Sequence, residues 1–221
     1  LLGAIWYNLL TLTAHLIFPV HELQDNIARS YEQLAHYLEL KYRLFDPDIE
    51  EDSQAPLYDL ALANGQLVAT LNQTKVSLLT RLRGDRGQRG TRRTLQYYFV
   101  AQDIHERASS SHIQYQTLRD HFRYSDVMFR FQRMLSMQAQ ACQKLSRAIL
   151  LREPYLHDTH FERAFMHLDA ALDRVKASGA PAEQIKALGF LLNNLRAIDA
   201  QLATIESVQT TVQSSNNTEH L

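Results

Sequence analysis

TRRTLQYYFVAQDIHERASSSH, residues 91–112, is the stretch on which the reading of the fold turns. Leu95, Tyr98, Phe99, Ala101, Ile104 and Ala108 recur near i, i+3, i+4 spacing, which puts them on one face of a helix. A half-buried strand would alternate with period two, and this stretch does not. Asp103 and Arg107 are four residues apart, as are Gln102 and Glu106, so each pair can meet on a helix surface. Ser109, Ser110 and Ser111 then compete with the backbone for hydrogen bonds and weaken or kink the helix. His105 and His112 lie seven apart, two turns up one face.

Two readings of Asp103, His105, Glu106, Arg107 and His112 follow. They form a solvated polar face with a frayed end, or a polar network that holds this helix against a neighbouring helix or another subunit. The network reading expects Glu106→Ala to lower the melting temperature or change assembly. Catalysis is not suggested, because the spacing offers polar anchors in two directions and converges no nucleophile and base on one atom.

Immediately upstream, Arg81, Arg83, Arg86, Arg89, Arg92 and Arg93 crowd around Gly84, Gly87 and Gly90, opposed only by Asp85. Three Gly triplets do not make collagen, which needs a sustained repeat with proline. The segment reads as a positively charged turn, or as a contact for anionic lipid headgroups or an acidic partner. No nucleic-acid-binding motif accompanies it.

Working outward, the same helical period continues. Leu23, Ile27, Tyr31, Leu34, Leu38 and Phe45 stripe a helix that Asp46-Pro47 ends. Pro56 suits a first helical turn, and Leu60, Leu67, Leu71, Leu78 and Leu82 carry the next helix. Met128, Phe131, Leu135, Ala139, Cys142, Leu145 and Ile149 give a near-heptad seam, with the methionines as core fillers. Asp158 or Thr159 caps a helix bearing Phe161, Phe165, Leu168, Leu172 and Val175. The last helix carries Ile185, Leu188, Leu192, Leu195, Ile198, Leu202 and Ile205. The expected fold is all-α: an antiparallel bundle of about six long helices at 20–45, 56–83, 91–110, 115–152, 159–178 and 182–209. An even number of up-down helices returns the chain to its starting end.

A short apolar helix is expected before the bundle. Residues 1–18 contain no Asp, Glu, Lys or Arg, although Asn8, Thr11, Thr13 and His15 dilute the segment. A span needs roughly 20 apolar residues. Trp6 and Tyr7 suit a membrane interface. The segment reads as the exit of a membrane helix or as an interfacial helix, and alternatively as the buried first helix of a bundle. Pro19 punctuates it. The domain boundaries are therefore 1–19, a membrane-proximal helix; 20–210, a single bundle; and 211–221, a polar tail.

Composition narrows the class further. Lys and Arg number 23 against 24 Asp and Glu, so there is no global charge for a polyanion. One cysteine, Cys142, excludes an internal disulfide and fits a reducing compartment. The acidic loop 46–52 lacks the spacing and glycine of a calcium loop. His157, His160 and His167 have no HExxH spacing, and no metal or cofactor is expected. The chain starts inside an apolar segment without a signal-peptide pattern, as a piece of a longer protein would.

The runs RGDRGQRGTRRTLQYYF (83–99) and AQDIHERASSSH (101–112), with Trp6-Tyr7 ahead of Pro19, resemble the soluble middle domain of the YccS/YhfK family of inner-membrane proteins. That family belongs to the fusaric-acid-resistance and aromatic-acid-exporter-like group. The resemblance covers most of the chain. It implies a non-enzymatic cytoplasmic domain between two transmembrane blocks of a transporter, with a regulatory or assembly role. Its partners would be those membrane blocks and further copies of itself. The other reading is a helical-bundle interaction module with no connection to transport.

Overall fold

A computed structural model describes the backbone of residues 2–48, 55–83, 88–110 and 112–218. Seven helices occupy them: α1 (Leu2–Leu44), α2 (Ala55–Arg83), α3 (Gln88–Ser109), α4 (His112–Phe122), α5 (Asp126–Leu151), α6 (His160–Ala177) and α7 (Ala182–Thr218). No strand occurs among the described residues, and the fold is all-α.

The first helix is longer than its sequence suggests. α1 passes through Pro19 and joins the apolar segment 2–18 to the bundle helix 20–44 as one element. A proline inside a helix forfeits one hydrogen bond and costs about 3 kcal/mol. Uninterrupted helix-forming sequence on both sides carries the helix across that break. The opposite happened at 115–152, where one helix was expected. Tyr124 takes a left-handed φ of 61°. Ser125, extended, then caps α5 by accepting from the Met128 amide at 3.3 Å. Asp126 follows in the first turn, where a negative charge favours the helix N-terminus. The apolar seam runs on through this break, so periodicity alone conceals it. α6 is capped by Asp158, whose carboxylate accepts from the His160 amide at 2.9 Å, and not by the Thr159 side chain. Gly179, at φ 77°, makes the turn after α6.

Helix α1 is the hub. Leu23, Ile27, Tyr31, Leu34, Leu38 and Phe45 are all but fully buried. Each such side chain removed from water contributes about 1.5–3 kcal/mol. Named contacts fix the directions. Phe45 stacks on Phe131 at 6.5 Å near one end, and the Ser146 hydroxyl donates to the Ala28 carbonyl at 2.6 Å near the other. The α1–α5 pair is therefore antiparallel. Ser30 meets Thr74 at 3.4 Å and Tyr31 donates to the Tyr97 carbonyl at 2.6 Å, while two turns on Tyr37 meets His105, which bonds Asn64, so α2 runs against α1 and α3 runs with α1. The Gln138 side chain donates to the Leu195 carbonyl at 2.7 Å, tying α5 to α7. The Arg174–Asp126 pair at 2.6 Å with Phe161 beside Ala141 and Lys144, and the Arg196–Asp169 pair with His157 bonded to Asp199, set α6 antiparallel to both.

One consequence positions everything functional. Gln24 of α1 hydrogen-bonds the Ile149 carbonyl at the end of α5, and Glu206 of α7 accepts from the His157 amide just beyond α5. Beyond that level α1 continues back to Leu2 and α7 continues on to Thr218. At 1.5 Å per residue these extensions measure about 30 Å and about 18 Å. Both leave the bundle at the same end.

Candidate functional site

The α3 motif is divided between two sides of its helix. Tyr98, Ala101, Ile104 and Ala108 face the core. His105 also faces inward, half-buried, with Nε2 2.7 Å from Asn64 Oδ1 of α2. Its ring meets Tyr37 of α1 edge-on at 6.1 Å. One turn further along α1 is Lys41, fully buried, with Nζ 5.6 Å from the centre of the Tyr37 ring. Burial pushes the Lys41 amine down to about 7. Burial, and then the Lys41 charge, hold His105 below its ordinary range, so neutral His105 donates from Nε2 to Asn64. A polar interior thus sits where α1, α2 and α3 converge.

The other side of the motif is solvated. Arg107 Nε pairs with Asp103 Oδ2 at 2.8 Å within the helix, both side chains about a third exposed. Glu106 is exposed. Asp103 and Glu106 line an open groove of about 770 Å³ between α3 and α7, with Arg92, Leu95, Gln96, Phe99, Val100, Gln102, Gln201 and Thr204. Its walls mix charges, amides and one exposed phenyl ring. The side chain of His112 lies outside the described residues.

The arginine-rich segment 81–93 includes the end of α2 and the start of α3, both at the end from which the two extensions leave. Arg83 lies nine residues past Thr74, hence about 13 Å further toward that end. Arg83, Arg92 and Arg93 are exposed and Arg81 partly so, and none makes an ion pair among the described residues. Arg86 and the side chain of Arg89 lie outside the described residues. On the α1 extension, Ile5, Trp6 and Tyr7 are exposed.

Sequence reasoning missed Lys41 and Asn64. Both occupy seam positions: Lys41 falls between Leu38 and Phe45 in the α1 stripe, and Asn64 between Leu60 and Leu67 in α2. A polar residue in an apolar stripe was the available signal. It also missed a cluster at the exit end, in which His157 stacks on Phe161 at 4.8 Å and meets Asp199 and Tyr155 through its two ring nitrogens. Among the described residues no three His, Cys, Asp or Glu side chains are grouped to hold a metal ion. Cys142 is fully buried, and burial pushes its thiol up to about 12. No helix, among the described residues, is long and apolar enough to cross a membrane.

Comparison with known proteins adds identity to this geometry. A family described as FUSC-like inner membrane protein yccS matches residues 1–202. The inner membrane protein YccS of Escherichia coli K12 is 77% identical over 220 residues, covering 100% of this chain and 31% of its own length. An uncharacterized protein of Haemophilus influenzae is 34% identical over 203 residues, covering 91% of this chain and 28% of its own. The chain thus spans about a third of the length of these relatives. No solved structure matches. By the extent of the family match and the identity to YccS, this chain belongs to the FUSC-like family of inner membrane proteins.

Proposed function

We propose that the chain is a non-enzymatic helical domain at the cytoplasmic face of an inner membrane, joining two membrane blocks of a longer, transporter-like polypeptide and serving its assembly or regulation. The observation that carries this reading is the departure of the α1 and α7 extensions from one end of the bundle. A domain inserted between two membrane blocks needs that geometry, and a free-standing bundle does not. Covering 31% of the length of its E. coli relative leaves room for such blocks. Exposed Ile5, Trp6 and Tyr7 suit the boundary between water and lipid. Arginines gathered at the exit end favour the cytoplasmic side, where membrane proteins carry their positive excess and anionic headgroups offer a partner.

The test is accessibility in the full-length parent. Met166 is 62% exposed on α6. In a background lacking other exposed cysteines, Met166→Cys should react with a membrane-impermeant maleimide in inverted vesicles and remain unlabelled in intact cells. Labelling from the periplasmic side overturns the assignment.

A further inference from the structure

We propose that residues 149–157, the end of α5 and the connector after it, form a rigid strap that couples the two helices leaving the bundle, so that a displacement of α1 at Gln24 is passed to α7 at Asp199 and Glu206. That the strap then links two membrane blocks rests on the reading above. The strap itself is a property of this chain.

The first ground is how the strap is fastened to α1. The last carbonyls of a helix have no partner within it. At the end of α5, Arg152 takes a left-handed φ of 57°. Its amide then turns back to the Ile149 carbonyl at 3.4 Å, and the Glu153 amide to the Ala148 carbonyl at 2.9 Å. This closure ordinarily places glycine in the left-handed position, because a Cβ is disfavoured there. The neighbouring contacts hold the arginine in it. One of them comes from α1: the Gln24 amide donates to the Ile149 carbonyl and reaches the Leu150 carbonyl at 3.5 Å. A side chain of α1 thus completes the end of α5.

The second ground is how the strap is fastened to α7. A carboxylate only accepts, so His157 Nε2 donates to Asp199 Oδ1 at 2.7 Å. With the ring neutral, the hydroxyl of buried Tyr155 donates to Nδ1 at 2.9 Å. The His157 amide donates to Glu206 Oε2 at 2.8 Å. Asp199 and Glu206 are seven residues apart, two turns along one side of α7. The strap therefore grips α7 along its length and not at a single point.

The third ground is stiffness between the two fastenings. Motion in proteins is absorbed at a few loop positions free to change φ and ψ. No residue from 149 to 157 is glycine. The cap hydrogen bonds hold Arg152 and Glu153, the ring of Pro154 fixes its own φ, and burial holds Tyr155. Phe161 stacks on His157 at 4.8 Å, so α6 backs the far end. A segment anchored at both ends and without a hinge transmits a displacement.

Spin labels on Glu22→Cys and Thr204→Cys, exposed positions on the two exit helices, test this in the 221-residue chain, where Cys142 is buried and stays unlabelled. The parent should give one narrow distance distribution. Pro154→Gly frees the strap while leaving both fastenings in place, and it should broaden the distribution. Gln24→Ala and Asp199→Asn should do so as well. Leu60→Ala removes a buried side chain of α2 and lowers stability, yet should leave the distribution as narrow as in the parent. Hydrogen exchange reads the transmission. Gln24 bonds α5, but Gln24→Ala should raise exchange in the last turns of α7 by about three- to tenfold, the factor that a lost hydrogen bond gives. Adding Asp199→Asn should raise it by less than the product of the two effects, because a strap loose at one end transmits little. A distribution unmoved by Pro154→Gly overturns the proposal. So does equal broadening in Leu60→Ala, or exchange in α7 indifferent to Gln24→Ala. None of these results alters the maleimide labelling of Met166→Cys in the full-length parent, so the strap and the proposed function fail separately.

Discussion

His157 Nε2 lies 2.7 Å from Asp199 Oδ1, and this pair fastens the loop between α5 and α6 to α7 just before α7 leaves the bundle. The His157 ring is held on every side. Tyr155 Oη is 2.9 Å from Nδ1, Phe161 stacks on its face, and the His157 amide donates to Glu206 at 2.8 Å. Only 13% of the His157 side chain and 23% of the Asp199 side chain remain accessible. Removing one partner of a largely enclosed hydrogen bond strands the other. Asp199→Ala should therefore cost about 1–3 kcal/mol in urea unfolding. Hydrogen exchange should rise first in the last turns of α7. An unchanged midpoint would show that the pair is solvated and idle.

How much of this was legible in the sequence depends on the scale considered. The helical period revealed the all-α class and the core stripes, because burial of one helix face writes itself every three to four residues. It concealed the break at Tyr124–Ser125, where the apolar seam continues while the backbone turns. It also overstated Pro19, since a proline ends a helix only when nothing beyond it favours continuation. Which helices become neighbours is not periodic information. The α1–α2–α3 interior could not be assembled from Lys41, Asn64 and His105 until contacts brought three distant stretches together. The same limit hid the separate environments of His105 and Glu106, which are adjacent in sequence.

Lys41 offers a sharp stability test. Its folded amine sits at about 7 against 10.5 in the unfolded chain. Between those values the unfolded state holds more protons, so stability rises with pH across that window. Below pH 7 the folded chain carries its amine charged in the interior. Lys41→Met keeps the volume and removes the charge, and should stabilise the chain near neutrality by about 1–4 kcal/mol. The advantage should shrink as the pH approaches 10.5. Thermal melts of both proteins across this range check it, and a constant difference between them would count against a buried amine.

The arginine turn predicts binding to anionic lipid. Vesicles of phosphatidylglycerol should retain this chain in a flotation assay, and vesicles of phosphatidylcholine should not. Replacing Arg86, Arg89, Arg92 and Arg93 by glutamine should weaken retention severalfold. Salt should do the same, because exposed charges are screened over about 10 Å at 0.1 M. Equal retention of parent and variant would leave the turn as a solvated connection.

The α3 motif separates two roles that its sequence presents side by side. Glu106 is exposed at the α3–α7 groove and is not the inward anchor, so Glu106→Ala should change stability by no more than about 0.5 kcal/mol. His105 is the inward anchor. Its Nε2 satisfies Asn64 at 2.7 Å in the interior shared with Tyr37 and Lys41. His105→Ala leaves the Asn64 carbonyl oxygen without that donor and opens space beside Tyr37, at a cost of about 1–3 kcal/mol. The pH response adds a second signature. The folded pKa of His105 is lowered from 6.5, so the unfolded chain takes up this proton first as the solution is acidified. Stability therefore falls with pH just below 6.5, and His105→Ala should lose that part of the slope. Urea titrations of the parent and both variants at several pH values distinguish the two roles. If Glu106→Ala lowers the midpoint as far as His105→Ala, the glutamate has a buried partner and the outward side of the motif holds the fold as well.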